Sequence, residues 1–360
     1  MKIVLLYGGQ SAEHDISIIS AFNISQEIML DVYSVLPVYI TRKGVWLKGP
    51  LMEKPLEDAS QLKFEQAFVE SWAEQPGDIS TGVVINPGDI KDKDTVVFPV
   101  LHGPNGEDGT VQGLLEVLNL PYVGAGVTAS ATGMDKIISK QLFDKAGLPQ
   151  VPYIAFVKRE WLEDQEALIQ KIEGSLLYPL FVKPANMGSS VGISRVESSE
   201  DLKEAIQTAL KFDRRIVIEQ GITAYECEVA ILGNEDPHAS VVGMLVKDSD
   251  FYDYDEKYIN NTVKMQIPAE LDPSVSLTIQ DYALKAYQAI DGSGLSRADF
   301  FVTANNDVYI NELNTMPGFT PYSMYPCLWN ETGLSTRDLI EELIQLALKR
   351  YEMRQALKNQ

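Results

Sequence analysis

The chain opens with an unbroken apolar run, KIVLLY, which reads as a strand buried on both faces. The polar stretch GGQSAEHD follows, with residues suited to a turn and a helix N-cap. ISIISAFNISQEIM then carries apolar positions at helical spacing. A second strand, YSVLPVYI, comes next. Beyond a polar region over residues 50–93 the order repeats as strand TVVFPVL, loop HGPNGEDG and helix TVQGLLEVLNL. Such alternation predicts a parallel sheet covered by helices, and sheets of that kind bind ligands in the loops after their strands. GGQSAEH and HGPNGEDG stand in that position. Residues 45–93 receive no assigned structure.

Past PYVGAG, the helix MDKIISKQLFDKAG is amphipathic and closes on a glycine suited to the C′ position. Strands PYIAFV and YPLFVK, helix SSEDLKEAIQTALKF and strand RRIVIEQ predict a small α+β unit. ECEVAILGN, ASVVGMLV, RADFFVT and DVYINELN read as antiparallel strands, and STRDLIEELIQLALKRYEMRQAL as a closing helix. The expected fold class is α/β followed by α+β, in three units over residues 1–125, 126–220 and 221–360.

Composition narrows the partners. A length of 360 residues suits two or three domains, and 45% apolar with 22% charged residues reads as globular. The formal charge of -21 disfavours a nucleic-acid backbone or an anionic membrane as partner. A small anion is still admitted, because a few lysines and arginines can cluster inside an acidic protein. The apolar run in MKIVLLYGG is too short for a signal peptide or a membrane span, so a cytoplasmic protein is expected. Cys227 and Cys327 form neither a disulfide framework nor a metal-binding spacing and read as packing residues.

Two stretches carry candidate chemistry. VKPANMGSSVG has the glycines, serines and lysine of a phosphate-holding loop, but Lys183 precedes the glycines, so it is not a P-loop. It reads either as a cover over a ligand or as an ordinary surface turn. In SRADFFVTANNDVYINELN, a two-residue turn at Asn305-Asn306 would set Asp299 opposite Glu312 and Arg297 opposite Asn314. Facing carboxylates repel; a divalent cation reverses the sign, and Asp, Glu and Asn oxygens are the hard ligands it takes beside nucleotide phosphates. The alternative is a salt-bridged sheet face in which Arg297 neutralises Asp299. Lys136, Lys183 and Lys257 sit beside element ends, suiting contacts to several phosphates. Glu219 and Glu226 are candidate acceptors for ribose hydroxyls or an adenine amino group.

Taken in order, YGGQSAEHDIS, HGPNGEDGTVQGLLE, MDK, FVKPANMGSSVGIS, DYDEKY, SRADFF and NELNTMPGFTPYSM resemble the D-alanine-D-alanine ligases of the ATP-grasp superfamily. The resemblance spans nearly the whole chain apart from residues 45–93. It implies an ATP-grasp fold with an N-terminal Rossmann-like domain, and the ATP-dependent joining of two D-alanines through an acyl phosphate for peptidoglycan precursors. Two magnesium or manganese ions, held by Asp299, Glu312 and Asn314, and a homodimer are implied with it.

The resemblance also implies roles for single residues. Glu13 is expected to hold the ammonium of the first D-alanine and to orient Ser189, with Tyr258 completing the set. Lys136 and Lys183 are expected on the ATP phosphates, Lys257 near the γ-phosphate, and Glu219 and Glu226 on the nucleoside. Arg297 and the backbone near Gly318 would stabilise the oxyanion, while Ser323 and Met324 would receive the second carboxylate. His102 reads either as the general base for the incoming amine or as a scaffold for its loop. Tyr258 sides with peptide formation against a D-alanine-D-lactate ligase, and the presence of Asp299, Glu312, Asn314 and Ser189 speaks against a non-catalytic nucleotide-binding regulator.

Overall fold

A computed structural model describes residues 1–66, 81–246 and 264–358. Strands β1 (Lys2–Gly8), β2 (Ser34–Ile40), β3 (Trp46–Lys48), β4 (Glu65–Gln66), β5 (Thr81–Ile85) and β6 (Thr95–Val100) form one sheet in the order β4-β5-β3-β2-β1-β6. β1 is parallel to both β2 and β6, as the alternation predicts. Its odd residues Ile3, Leu5 and Tyr7 pack against Ile18, Ala21 and Ile24 of α1 (His14–Glu27). Its even residues Val4 and Leu6 pack against Val111 and Leu115 of α2 (Thr110–Val117). Both faces are therefore dry, and each large side chain so buried contributes about 1.5–3 kcal/mol. The sheet is mixed, however: β3 runs antiparallel to β2 and β5. With only three residues, β3 is too short for a hydrophobic period to show.

α3 (Val127–Met134) and α4 (Lys136–Lys145) lead to a second, antiparallel sheet. It contains β7 (Tyr153–Val157), β8 (Leu180–Pro184), β9 (Ser194–Val196) and β10 (Arg215–Gln220), in the order β7-β10-β8-β9. α5 (Lys158–Glu163), α6 (Gln165–Glu173) and α7 (Ser199–Ala209) cover the face of Val182, Ile216 and Ile218. The alternate residues Lys183, Val217 and Glu219 consequently turn away from that core, Val217 packing instead with Ile137 of α4.

The third sheet joins β11 (Tyr225–Gly233), β12 (His238–Val246), β13 (Lys264–Gln266), β14 (Gly294–Val302) and β15 (Val308–Asn314) in the order β13-β12-β11-β14-β15, all antiparallel. α8 (Pro273–Ala289) packs against Val229, Ile231, Ala298 and Phe300, leaving Glu228, Arg297 and Asp299 on the other face. α9 (Met324–Thr332) and α10 (Thr336–Lys358) follow, and Leu339 and Leu343 of α10 return to the core of the first sheet. Among the described residues no helix is long and apolar enough to cross a membrane.

Candidate active site

β14 and β15 bring Asp299 opposite Glu312 and Arg297 opposite Asn314. The predicted pairs form, but by a different route. Thr303 N–H donates to Asp307 O at 3.0 Å, so Ala304, Asn305 and Asn306 make a three-residue loop in place of the expected two-residue turn. Asn306 takes the left-handed conformation at φ 65° that such a loop requires. Near the loop, Phe300 faces Ile310 and Val302 faces Val308, a register that continued unbroken would set Asp299 opposite Asn311. A bulge at Asn311 restores the pairing and aims Glu312 to the face of Asp299.

Arg297 lies between two carboxylates on that face. Its Nε and Nη2 each donate to Asp299 at 2.7 Å, and Nε also lies 2.8 Å from Glu228 Oε2 on β11. Asp299, Glu312 and Asn314 add hard oxygens there. Among the described residues no three His, Cys, Asp or Glu side chains gather into a self-sufficient metal group. A divalent cation here would take its remaining ligands from phosphate and water, as magnesium does at nucleotide sites, so the donor set fits.

The second sheet contributes positive charge. Lys183 Nζ lies 2.5 Å from Glu219 Oε2, and Lys140 Nζ of α4 lies 2.7 Å from Glu219 Oε1. Burial alone would raise the Glu219 carboxyl, but Lys140 and Lys183 hold it down at about 2. Burial lowers Lys183, and the neighbouring Glu219 outweighs it and raises the ammonium above its ordinary value. Glu219 thus holds two lysines, one on each carboxylate oxygen. Lys136 reaches toward the face of Asp299 and Glu312: its Nζ donates to Met187 O at 2.7 Å and lies 3.6 Å from Glu312.

The VKPANMGSSVG loop crosses to the first sheet. Ser189 Oγ donates to Glu13 Oε1 at the N-terminus of α1. Ser189 and Ser190 hold successive left-handed conformations, φ 49° and 60°, each costing about 1–2 kcal/mol that the surrounding contacts must offset. The root of the loop is tied down. Asn186 donates its backbone N–H to Asp213 and its side-chain amide to Asp135, each at 3.0 Å, and Asp135 also receives Arg215. Beneath the loop lies the buried Glu107, which accepts from Gly103 N–H at 2.7 Å. Burial, then the nearby Glu13, pushes its carboxyl well above the ordinary range.

His102 is also buried, and burial lowers its imidazole despite opposing effects of Glu13 and Met316 O. Its Nδ1 lies 3.0 Å from Met316 O, which requires the proton on Nδ1, and Nε2 faces Ser20 Oγ at 3.5 Å. Ser20 accepts from Phe319 N–H at 3.2 Å, and Asn23 donates to Phe319 O at 2.6 Å. α1 and the loop after β6 therefore hold the segment around Gly318. A Cβ at Gly318 would sit 2.9 Å from Ser323 Oγ, so a side chain there would displace that hydroxyl. Ser323 caps the turn by accepting Thr320 N–H at 2.9 Å, and Met324 begins α9, whose free N–H groups favour an anion.

Sequence models of the D-ala D-ala ligase N-terminus and C-terminus match residues 2–125 and 142–345. The chain belongs to the D-alanine-D-alanine ligase family. It is 55% identical over 356 residues to the D-alanine-D-alanine ligase of Enterococcus hirae, covering 99% of this chain and 98% of the relative. The Enterococcus faecalis ligase is 53% identical over 354 residues, covering 98% of this chain and all of the relative. Among solved structures, the Coxiella burnetii D-alanine-D-alanine ligase superposes with TM-score 0.81 at 34% identity, over 100% of this chain and 97% of its own. VanG, a D-Ala:D-Ser ligase from Enterococcus faecalis, gives the same TM-score of 0.81 at 32% identity, over 96% and 99%. The ATP-grasp fold expected for this ligase family is the fold observed.

Several neighbours of the site escaped the sequence reading: Lys140, Glu228, Glu107, Ser20 and Asn23. Glu228 alone left a local signal, since it alternates with Glu226 along β11. Burial, with Glu228 and Glu226 adding to it, pushes the Cys227 thiol up to about 12, and burial raises Cys327. Lys257 and Tyr258 fall outside the described residues.

Proposed function

We propose that this ligase joins two D-alanines, releasing ADP and phosphate, for peptidoglycan precursor synthesis. The observation that carries the reading is the convergence on one site of the Asp299, Glu312 and Asn314 oxygens, the Lys136 and Lys183 ammoniums, and a serine loop closed onto Glu13. A carboxylate is a poor electrophile, so an oxygen of the first D-alanine attacks the γ-phosphorus of ATP and the bond to the β-phosphate oxygen breaks. The second amine then attacks the acyl-phosphate carbonyl, and phosphate leaves. Glu13 receives the first ammonium, Lys136 and Lys183 the phosphates, and Glu226 the nucleoside. Glu219, in our reading, acts through the lysines it holds. Two magnesium ions at Asp299, Glu312 and Asn314, when bound, would neutralise charge on the phosphates during transfer.

Arg297 and the Gly318 backbone face the tetrahedral oxyanion, and Ser323 with the N-terminus of α9 the second carboxylate. The serine loop excludes water from the acyl phosphate, which would otherwise hydrolyse. We read His102 as a scaffold residue, with its proton on Nδ1 committed to Met316 O. On the same reading the units are 1–125, 126–220 and 221–360, the enzyme is cytoplasmic, and two copies form a homodimer. The deciding experiment measures phosphate release from ATP and magnesium with D-alanine alone, then with D-lactate or D-serine added, and resolves products by mass. D-alanyl-D-alanine as the main product is expected. Absence of D-alanine-dependent release overturns the substrate assignment, while a D-Ala-D-Ser product places the second subsite with VanG.

A further inference from the structure

A lysine that no step of this chemistry uses is among the most buried side chains of the molecule. Lys140 is 1% exposed on α4, with its Nζ 2.7 Å from Glu219 Oε1 and 5.1 Å from the centre of the Tyr153 ring. Burying an ammonium costs several kcal/mol unless it is paired, so a position without purpose would carry an apolar residue of similar length. Glu219, 3% exposed, already has a partner in Lys183, which takes the other oxygen at 2.5 Å. One carboxylate thus serves two ammoniums.

We propose that Lys140 is a positioning residue for nucleotide binding: by sharing Glu219 it keeps Lys183 free to hold an oligophosphate. In a one-to-one pair, Glu219 would neutralise Lys183 and compete with phosphate for it. With Lys140 on Oε1, the carboxylate orients Lys183 through Oε2 alone while its charge is divided. The other acids acting on Lys183 are Glu312 and Glu226, and both lie on the third sheet. Lys140 and Lys183 both hold the Glu219 carboxyl below its ordinary range, so its charge is engaged from both sides. Lys140 makes no contact with ligand in this scheme and acts only through Glu219.

The inference rests on the ATP-dependent reading above. The test is the ratio of ADP to adenosine affinity, measured by calorimetry with magnesium on the full chain. Wild-type protein that binds neither ADP nor ATP sinks the functional reading itself. Lys140→Met is expected to weaken ADP about tenfold and adenosine less than about twofold, with the KM for ATP rising more than kcat falls. Lys140→Arg restores the charge and most of the ADP affinity. Equal weakening of ADP and adenosine, or no change in either, overturns the proposal. Lys140→Met/Glu219→Gln removes both the support and the competitor, so its ADP-to-adenosine ratio should return to within about threefold of wild type. This double variant decides the matter where the single variant does not fold, and a ratio still about tenfold below wild type overturns the proposal.

Discussion

Two ion clusters in the site are built alike with opposite sign. On the second sheet and α4, one carboxylate, Glu219, is shared by two ammoniums, Lys140 and Lys183. On the third sheet, one guanidinium, Arg297, is shared by two carboxylates, Glu228 and Asp299. Sharing a single counterion fixes the geometry of both like charges while leaving them incompletely neutralised. The first cluster is thereby suited to anionic phosphate and the second to a divalent cation. Complete one-to-one pairing would hold the same side chains in place and remove their affinity for ligand.

Breaking the acidic face of the third sheet, Asp299 in the cluster or Glu312 opposite it, should have the largest effect. Asp299→Asn or Glu312→Gln is expected to lower kcat on the order of a thousandfold, read from phosphate release at saturating magnesium, because several kcal/mol of charge stabilisation is withdrawn. Arg297→Met strips the counterion from both Glu228 and Asp299. Besides losing about a hundredfold or more in kcat, it should destabilise the fold by about 3 kcal/mol, measured by urea denaturation. A variant with wild-type stability would show that the two carboxylates do not depend on Arg297.

A residue placed outside both clusters sharpens the contrast. If His102 only holds the Met316 carbonyl, His102→Gln, whose amide can donate similarly, should cost about tenfold or less in kcat and keep the shape of the pH profile. A loss of about a hundredfold or more that also removes a limb of the profile would make it the base.

Glu107 is the smallest test. It forms no ion pair among the described residues, and burial followed by Glu13 raises its carboxyl. A raised carboxyl contributes stability below its unfolded value and loses it as pH climbs through the folded one. The Tm advantage of Glu107→Gln over wild type should therefore grow from pH 5 to pH 8. A constant difference would remove the charge from the account.

Much of this site was legible along the chain. The loops after β1 and β6, the lysines at element ends and the facing pairs of β14 and β15 follow from apolar period and turn chemistry. The hairpin pairs came out correctly although the turn did not, because a longer loop and the Asn311 bulge offset each other. A bulge leaves no period of its own, so local pattern cannot reveal it. α8 went unassigned, and the mixed edge of the first sheet rests on strands of two to five residues.

Sequence by itself determined the alternating elements, the antiparallel third sheet and the residue types able to carry phosphate, metal and amino-acid chemistry, since these depend on neighbours a few positions apart. Only the tertiary structure decided which charges share a partner. Lys140 lies on an amphipathic helix and reads there as an ordinary solvated lysine, until β10 brings Glu219 against it across 79 residues. Ser20 and Asn23 likewise read as polar positions of α1 until the Phe319 backbone arrives from near the far end of the chain. Charge compensation and burial act through space, and chain separation carries no record of them.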